Sequence, residues 1–202
     1  MENQNTSSKS ISYIMNTKNW WGPLTFILII SILGVGMIGY QTYIDAPPMS
    51  GFRDDKGNTV IDKKTLEHGQ EVFHKYALME YGSFFGDGAQ RGPDFTAEAL
   101  HKMSVFMADF YAKEFTAEKG SAPDEFMMKQ INERIKQELK VNRFDKASDI
   151  VILTPAQNYA HAQLQNYYLE IYKGGKKEKG FPPTNYITDD REIKDLSSFF
   201  FW

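Results

Sequence analysis

The sequence predicts a mainly α protein: one N-terminal transmembrane helix, followed by a helical domain with minor short strands. Three observations carry this. Residues 23–40 form an uncharged stretch that continues to Ile44, and about 20 apolar residues suffice to cross a bilayer. Beyond Pro48, apolar residues recur at helical spacing in long segments bounded by capping residues and glycines. Only Thr59-Val60-Ile61 and Asp149 to Leu153 read as strands.

A chain of 202 residues accommodates one extramembrane domain with a core of its own plus one further element. The formal net charge of -3 gives no basic field, which excludes nucleic acid as the expected partner. The chain has no cysteine. Disulfides, thiolate metal sites and a cysteine nucleophile are thereby excluded together.

Residues 1–18 are mostly polar and read as a disordered tail. Residues 19–45 form the membrane helix, with Trp20 and Trp21 at one end and Tyr40 and Tyr43 at the other, placed as interfacial aromatics. Gly34, Gly36 and Gly39 offer a small-residue face to a neighbouring helix. A cleaved signal peptide is the competing reading, but the stretch is too long for an h-region and no A-x-A-like site follows it. Lys9 and Lys18 precede the helix while Arg53, Lys56, Lys63 and Lys64 follow it, so the positive-inside count does not orient the chain.

Ala46-Pro47-Pro48 stops the helix, and Asp54 to Asn58 forms a turn. Asp62 is the N-cap of a helix to about Ala77. The glycine-rich Gly82 to Pro93 is a loop, and Thr96 is expected to cap a helix ending at Gly120. That helix carries Leu100, Met103, Phe106, Met107, Phe110 and Tyr111 on one face. Pro123-Asp124-Glu125 opens the next, and Thr154-Pro155 starts another that runs to Gly174. The lysine-rich loop Lys173 to Gly180 reads as a solvated loop, with anionic headgroups or an acidic partner as alternatives. Asp189 or Asp190 caps a last helix ending in Phe199-Phe200-Phe201-Trp202.

The stretch from Gly69 to Leu100 has the form of the haem-attachment region of a c-type cytochrome: an amphipathic helix, a glycine turn, a Pro-Asp pair and a new helix start. Where C-x-x-C-H would stand, the sequence reads Leu78-Met79-Glu80-Tyr81-Gly82, so no thioether-bound haem can form. Phe84, Phe85, Tyr76 and Tyr81 are available to fill the haem volume. The chain's four histidines, His68, His74, His101 and His161, lack the i, i+4 pairing of a helical metal site and read as surface or turn residues. Asp87 and Asp94 flank the glycine turn, Asp94 first of all as a turn or capping residue.

The run GSFFGDGAQRGPDFTAEALH, with Trp20-Trp21 upstream, Ala46-Pro47-Pro48 after the apolar segment and LSSFFFW at 196–202, resembles the N-terminal part of quinol-dependent nitric oxide reductases of the haem-copper oxidase superfamily. The resemblance covers residues 19–202. It implies a disordered cytoplasmic tail at 1–18, a haem-free cytochrome c-like extracytoplasmic domain at 46–188, and the truncated start of a second membrane helix at 189–202. It also implies an N-terminal part or split subunit of an enzyme that reduces two nitric oxide molecules to nitrous oxide with electrons from quinol. The chain would then anchor and cover a polytopic catalytic bundle, beside the lipid bilayer, on the periplasmic side of a bacterial inner membrane. No catalytic residue and no redox centre are expected in this chain. Haem b, non-haem iron and calcium belong to the complete enzyme. Calcium contacts carried over from the family fall at Gly88 and Gln90, through backbone oxygens, with glutamine where the family usually has tyrosine. A stand-alone membrane-anchored periplasmic binding or assembly module is the alternative.

Overall fold

The computed structural model describes residues 20–44, 46, 48–89, 91–174 and 180–202. The chain forms two compact units, Met1–Pro48 and Met49–Trp202. In the first, helix α1 (Trp21–Ile44) has no acidic or basic residue and buries no side chain. By length and composition it can cross a membrane. Gly34, Gly36 and Gly39 face open space.

The second unit holds strands β1 (Gly51–Arg53) and β2 (Thr59–Ile61), helix α2 (Lys63–Lys75), a 3₁₀ turn at Leu78–Glu80, and the hairpin β3 (Ser83–Phe84) and β4 (Asp87–Gly88). Helices α3 (Phe95–Lys119) and α4 (Glu125–Lys140) follow, then β5 (Phe144–Asp145), β6 (Ile150–Ile152), α5 (Pro155–Tyr172) and α6 (Asp190–Phe201). The mainly α prediction with minor strands holds. The strands do more than link helices, because they assemble into a sheet of order β2-β1-β6-β5 in which β1 and β6 run parallel.

Each helix of this unit begins at a side chain that replaces a missing backbone partner. Asp62 accepts from the Thr65 N–H at 2.6 Å, and Asp124 from that of Met127 at 2.8 Å. Thr154 and Gln157 form a reciprocal capping box, with Pro155 at the first helical position. Asp189 caps α6. The cap of α3 is Asp94, not Thr96, so the helix starts two residues earlier than expected. Leu100, placed on the inward face of that helix, is 54% exposed. The buried stripe of α3 is Phe95, Ala99, Met103, Met107 and Tyr111, one residue per turn.

Helix α6 packs into the core of the second unit. Ile193, Leu196, Ser197, Ser198, Phe199 and Phe200 of α6 are buried. Phe73 meets Phe95 and Phe200 edge-on at 6.0 Å. Phe84 stacks on Phe199 at 4.4 Å and Phe95 on Phe200 at 4.8 Å, both nearly parallel. Tyr168 and Tyr172 complete this cluster. This core is rich in aromatic rings, most of them from the helices. Phe84 packs against it half-buried, Phe85 is 60% exposed, and Tyr76 and Tyr81 stay at the rim against Tyr186.

Two smaller clusters extend the core. Met103, Met107 and Tyr111 of α3 pack with Ile131 and Ile135 of α4 and Ala156 and Ala160 of α5. Phe52, Ile61, Leu66 and Leu153 gather beneath the sheet. Phe201 packs against all three clusters. His161, read as a surface residue, is 5% exposed and lies within 3.0 Å of the Ser198 hydroxyl. Ser198 donates to the Lys194 carbonyl at 3.0 Å. Burial pushes the pKa of His161 down to about 4. The tail 1–18 and Lys176, Lys177 and Lys179 of the predicted solvated loop lie outside the described residues. Lys173 pairs with Asp190.

Helix α2 approaches α6 so closely that a Cβ at Gly69 would overlap the Asp195 carbonyl oxygen and lie 2.8 Å from the Phe199 Cβ. Backbone cannot swing aside as a side chain can. Gly69→Ala is therefore expected to lower the unfolding free energy by about 2–3 kcal/mol in urea titrations followed by circular dichroism; a loss under about 0.5 kcal/mol would show that the helix spacing is soft. The hydroxyls of Tyr168 and Tyr172 are buried and have no hydrogen-bond partner among the described residues. Tyr172→Phe should then leave stability within about 0.5 kcal/mol of the parent or raise it, since an unmet hydroxyl is lost. A fall of more than about 1 kcal/mol would reveal a bound partner for that hydroxyl.

Candidate functional site

The glycine-rich loop between α2 and α3 is built around one carboxylate. Asp94 Oδ1 accepts from the Ala97 N–H at 2.9 Å and from the Thr96 hydroxyl, while Oδ2 accepts from the Ser83 hydroxyl at 2.8 Å and the Gly86 N–H at 2.5 Å. The same residue thus caps α3 and pins the hairpin β3–β4 to its first turn. Burial acts to raise the pKa of Asp94, but the donors from Thr96, Ala97, Ser83 and Gly86 together outweigh it and hold the carboxyl at about 2, from an ordinary 3.8. Thr96, the cap expected from sequence, donates to Asp94 and accepts from the Phe85 N–H at 3.3 Å.

The hairpin turns through Phe85 and Gly86, whose φ angles of +53° and +79° match the two left-handed positions of a type I′ turn. That turn suits Asn-Gly far better than Phe-Gly. The strained turn lays Phe84 against the core and turns Phe85 outward. Gly88 has a φ of +135°, and a Cβ there would lie 2.6 Å from the Gly82 carbonyl oxygen. Glycine is required on both counts.

Gly88 is the expected calcium contact that the structure places. It sits on the exposed side of the hairpin beside exposed Asp87. Gln90, the other expected contact, lies outside the described residues. Calcium takes six to eight oxygens, and the Asp94 carboxylate is committed to four donors. Among the described residues no group of three His, Cys, Asp or Glu could hold a metal. These residues alone do not make a cation cage. The histidines are not brought together either. His68 pairs with Asp195 at 2.7 Å, His74 lies edge-on to Phe73 at 5.8 Å, His101 is exposed, and His161 is in the core.

Sequence reasoning missed the face on which this loop lies. Two open apolar grooves, of about 370 and 260 Å³, flank a ridge made by Phe85 and Trp202, which line both. One groove runs along Leu100 and Met103 of α3, and the other is walled by Met49, Met79 and Phe84 with Gln70, His74 and Asp87 beside them. The rings of Phe85 and Trp202 meet edge-on at 5.9 Å. Consecutive aromatics at 84–85 and 199–202 carried the signal, but which of them face outward depends on the turn type at Phe85.

The Asp94 hub has a pH signature. Its folded pKa lies below its unfolded one, so its stabilisation is complete above about pH 4 and is lost as pH falls towards 2. Asp94→Asn should cost about 0.5–2 kcal/mol at pH 7, the range for a lost N-cap. The gap between parent and variant should narrow between pH 4 and pH 2 in urea titrations. A gap that persists unchanged at pH 2 would assign the effect to something other than the carboxylate.

No curated protein matches the chain. The family model for the NorB cytochrome c-like domain of nitric oxide reductase matches residues 50–202, which is the second unit almost from end to end. With the aromatic core, the glycine hairpin and this match in hand, the chain belongs to the nitric oxide reductase NorB cytochrome c-like domain family.

Proposed function

We propose that this chain is the N-terminal membrane anchor and haem-free cover of a quinol-dependent nitric oxide reductase of the haem-copper oxidase superfamily. The complete enzyme would reduce two nitric oxide molecules to nitrous oxide with electrons from quinol. Helix α1 would tether the domain at the periplasmic face of the inner membrane. The observation that carries this reading is the aromatic filling of the space between α2, α3, α5 and α6 in a domain of this family that has no cysteine.

A covalent haem would need two thiols and a histidine ligand. Here the interior is occupied by rings in mutual contact at 4.4–6.0 Å. A domain so filled has no relay for electrons, so quinol would deliver them directly to the catalytic bundle. Haem b and non-haem iron would be held by the bundle, since the histidines of this chain are dispersed. In the assembled enzyme Gly88 could supply one backbone oxygen to a bridging calcium, with the remaining donors coming from outside the described residues.

Absorption spectra and purification from native membranes test the proposal. The isolated chain should show no thioether-bound haem in a pyridine haemochrome assay. Haem b and quinol-driven nitric oxide consumption should copurify with the chain from mild detergent. A covalent haem on the chain, or undiminished nitric oxide consumption in membranes that lack it, would overturn the assignment.

A further inference from the structure

Independently of the function proposed above, we propose that Asp87-Gly88 is a self-modification site of this domain. The Gly88 amide nitrogen attacks the Asp87 carboxyl, and the peptide link migrates to the side chain through a cyclic imide, at a rate set by the Asp94 contacts that keep the hairpin shut. An aspartate followed by glycine is the pair in which this chemistry is least hindered, because the attacking nitrogen belongs to a residue with no Cβ. The chain has one such pair and no Asn-Gly.

The fold leaves both reacting groups unengaged. Ala89 donates to the Gly82 carbonyl at 3.2 Å, which makes 82 and 89 a hydrogen-bonded pair of the ladder. Bonded and non-bonded pairs alternate along antiparallel strands, so the next pair, Ser83 and Gly88, exchanges no bond. The Ser83 N–H goes to the Pro93 carbonyl instead, and the Gly88 N–H stands outside the ladder. Asp87 and Gly88 are both exposed. Among the described residues the Asp87 carboxylate takes part in no hydrogen bond or ion pair, whereas Asp94 is committed to four donors.

Each step balances with water alone. The bond from the Gly88 nitrogen to the Asp87 Cγ forms as a Cγ–O bond breaks, and that oxygen leaves as water with the amide proton and one proton from solvent. Water then opens the imide. At Cγ it restores aspartate; at the Asp87 main-chain carbonyl it gives isoaspartate, with one extra carbon in the main chain. In the closed hairpin Asp87 pairs with Phe84, and an extended residue turns the next nitrogen away from its own Cγ. Reaction therefore requires the hairpin to open. Strands of two residues hold little by themselves, and Ser83 and Gly86 tie this hairpin to Asp94, so Asp94 governs the local opening. The product cannot reclose in register, because the Gly82 carbonyl oxygen leaves no room at Gly88 even for a Cβ.

The test incubates the full chain in detergent at neutral pH, in water enriched in oxygen-18, and digests it with trypsin. Cleavage after Lys75 and Arg91 releases 76–91, in which Asp87 is the one aspartate. A form of this peptide with the same sequence and shifted retention should accumulate, carrying one heavy oxygen and identified as isoaspartate by electron-transfer fragmentation. Asp87→Glu, which would need a larger imide ring, should abolish it. Asp94→Asn and, separately, Thr96→Val, which removes the acceptor of the Phe85 N–H, should each speed accumulation about threefold or more by opening the hairpin more often. Faster isoaspartate formation at any other aspartate would overturn the site, as would none at 87 in the parent and both variants while a synthetic 76–91 peptide isomerises. A rate at 87 that neither variant changes would overturn the control by Asp94.

Discussion

Four consecutive aromatic residues, Phe199 to Trp202, impose the constraint on which the rest of the domain depends. Successive residues on a helix point about 100° apart, so four in a row cover every side of it. A helix that is apolar all round must be surrounded, and the fold meets this demand. Phe199 stacks on Phe84, Phe200 stacks on Phe95, Phe201 packs against three clusters, and Trp202 joins the ridge. Gly69 lets α2 come close enough for Phe73 to meet Phe199 and Phe200 at 6.0 Å. Burying each such ring contributes about 1.5–3 kcal/mol, more than an ion pair between exposed side chains, such as Lys136–Glu133 on α4, is worth.

The same economy explains why the loop after α2 is organised by hydrogen bonds and not by burial. Gly82 to Pro93 has few side chains to bury, so its course is fixed by Asp94, by the Ala89 N–H bonded to the Met79 and Gly82 carbonyls, and by the Ser83 N–H bonded to that of Pro93. The loop can then hold Phe84 on the stack and Phe85 off it. One carboxylate thereby couples a helix start, a hairpin and the direction of two aromatic side chains.

Most elements were legible in the sequence because their signals are local. Asp62, Asp124, Thr154-Pro155 and Asp189 announce helix starts through chemistry within three or four residues. Three features were not legible, each for a long-range reason. Thr96 and Asp94 are both good caps, and the choice fell to Asp94 because it also reaches Ser83 and Gly86. His161 looked like a surface residue because nothing near it in sequence announces Ser198, 37 positions away. Leu100 sits on a plausible apolar stripe, yet it faces outward from the packed side of α3 and lines a groove. The candidate site was legible as a loop but not as a face, since residues from 49, 79, 85, 100 and 202 meet only in the folded domain.

The ridge and the core are one mechanical unit. The Trp202 ring lies nearly parallel to those of Phe84 and Phe199, at 6.4 and 6.0 Å, and half-buried Phe84 is itself stacked on buried Phe199. A load on the ridge therefore passes directly into close-packed rings, which resist compression and do not flow. Interlocked rings therefore back the exposed face, and the position of the Trp202 ring is set by the core beneath it.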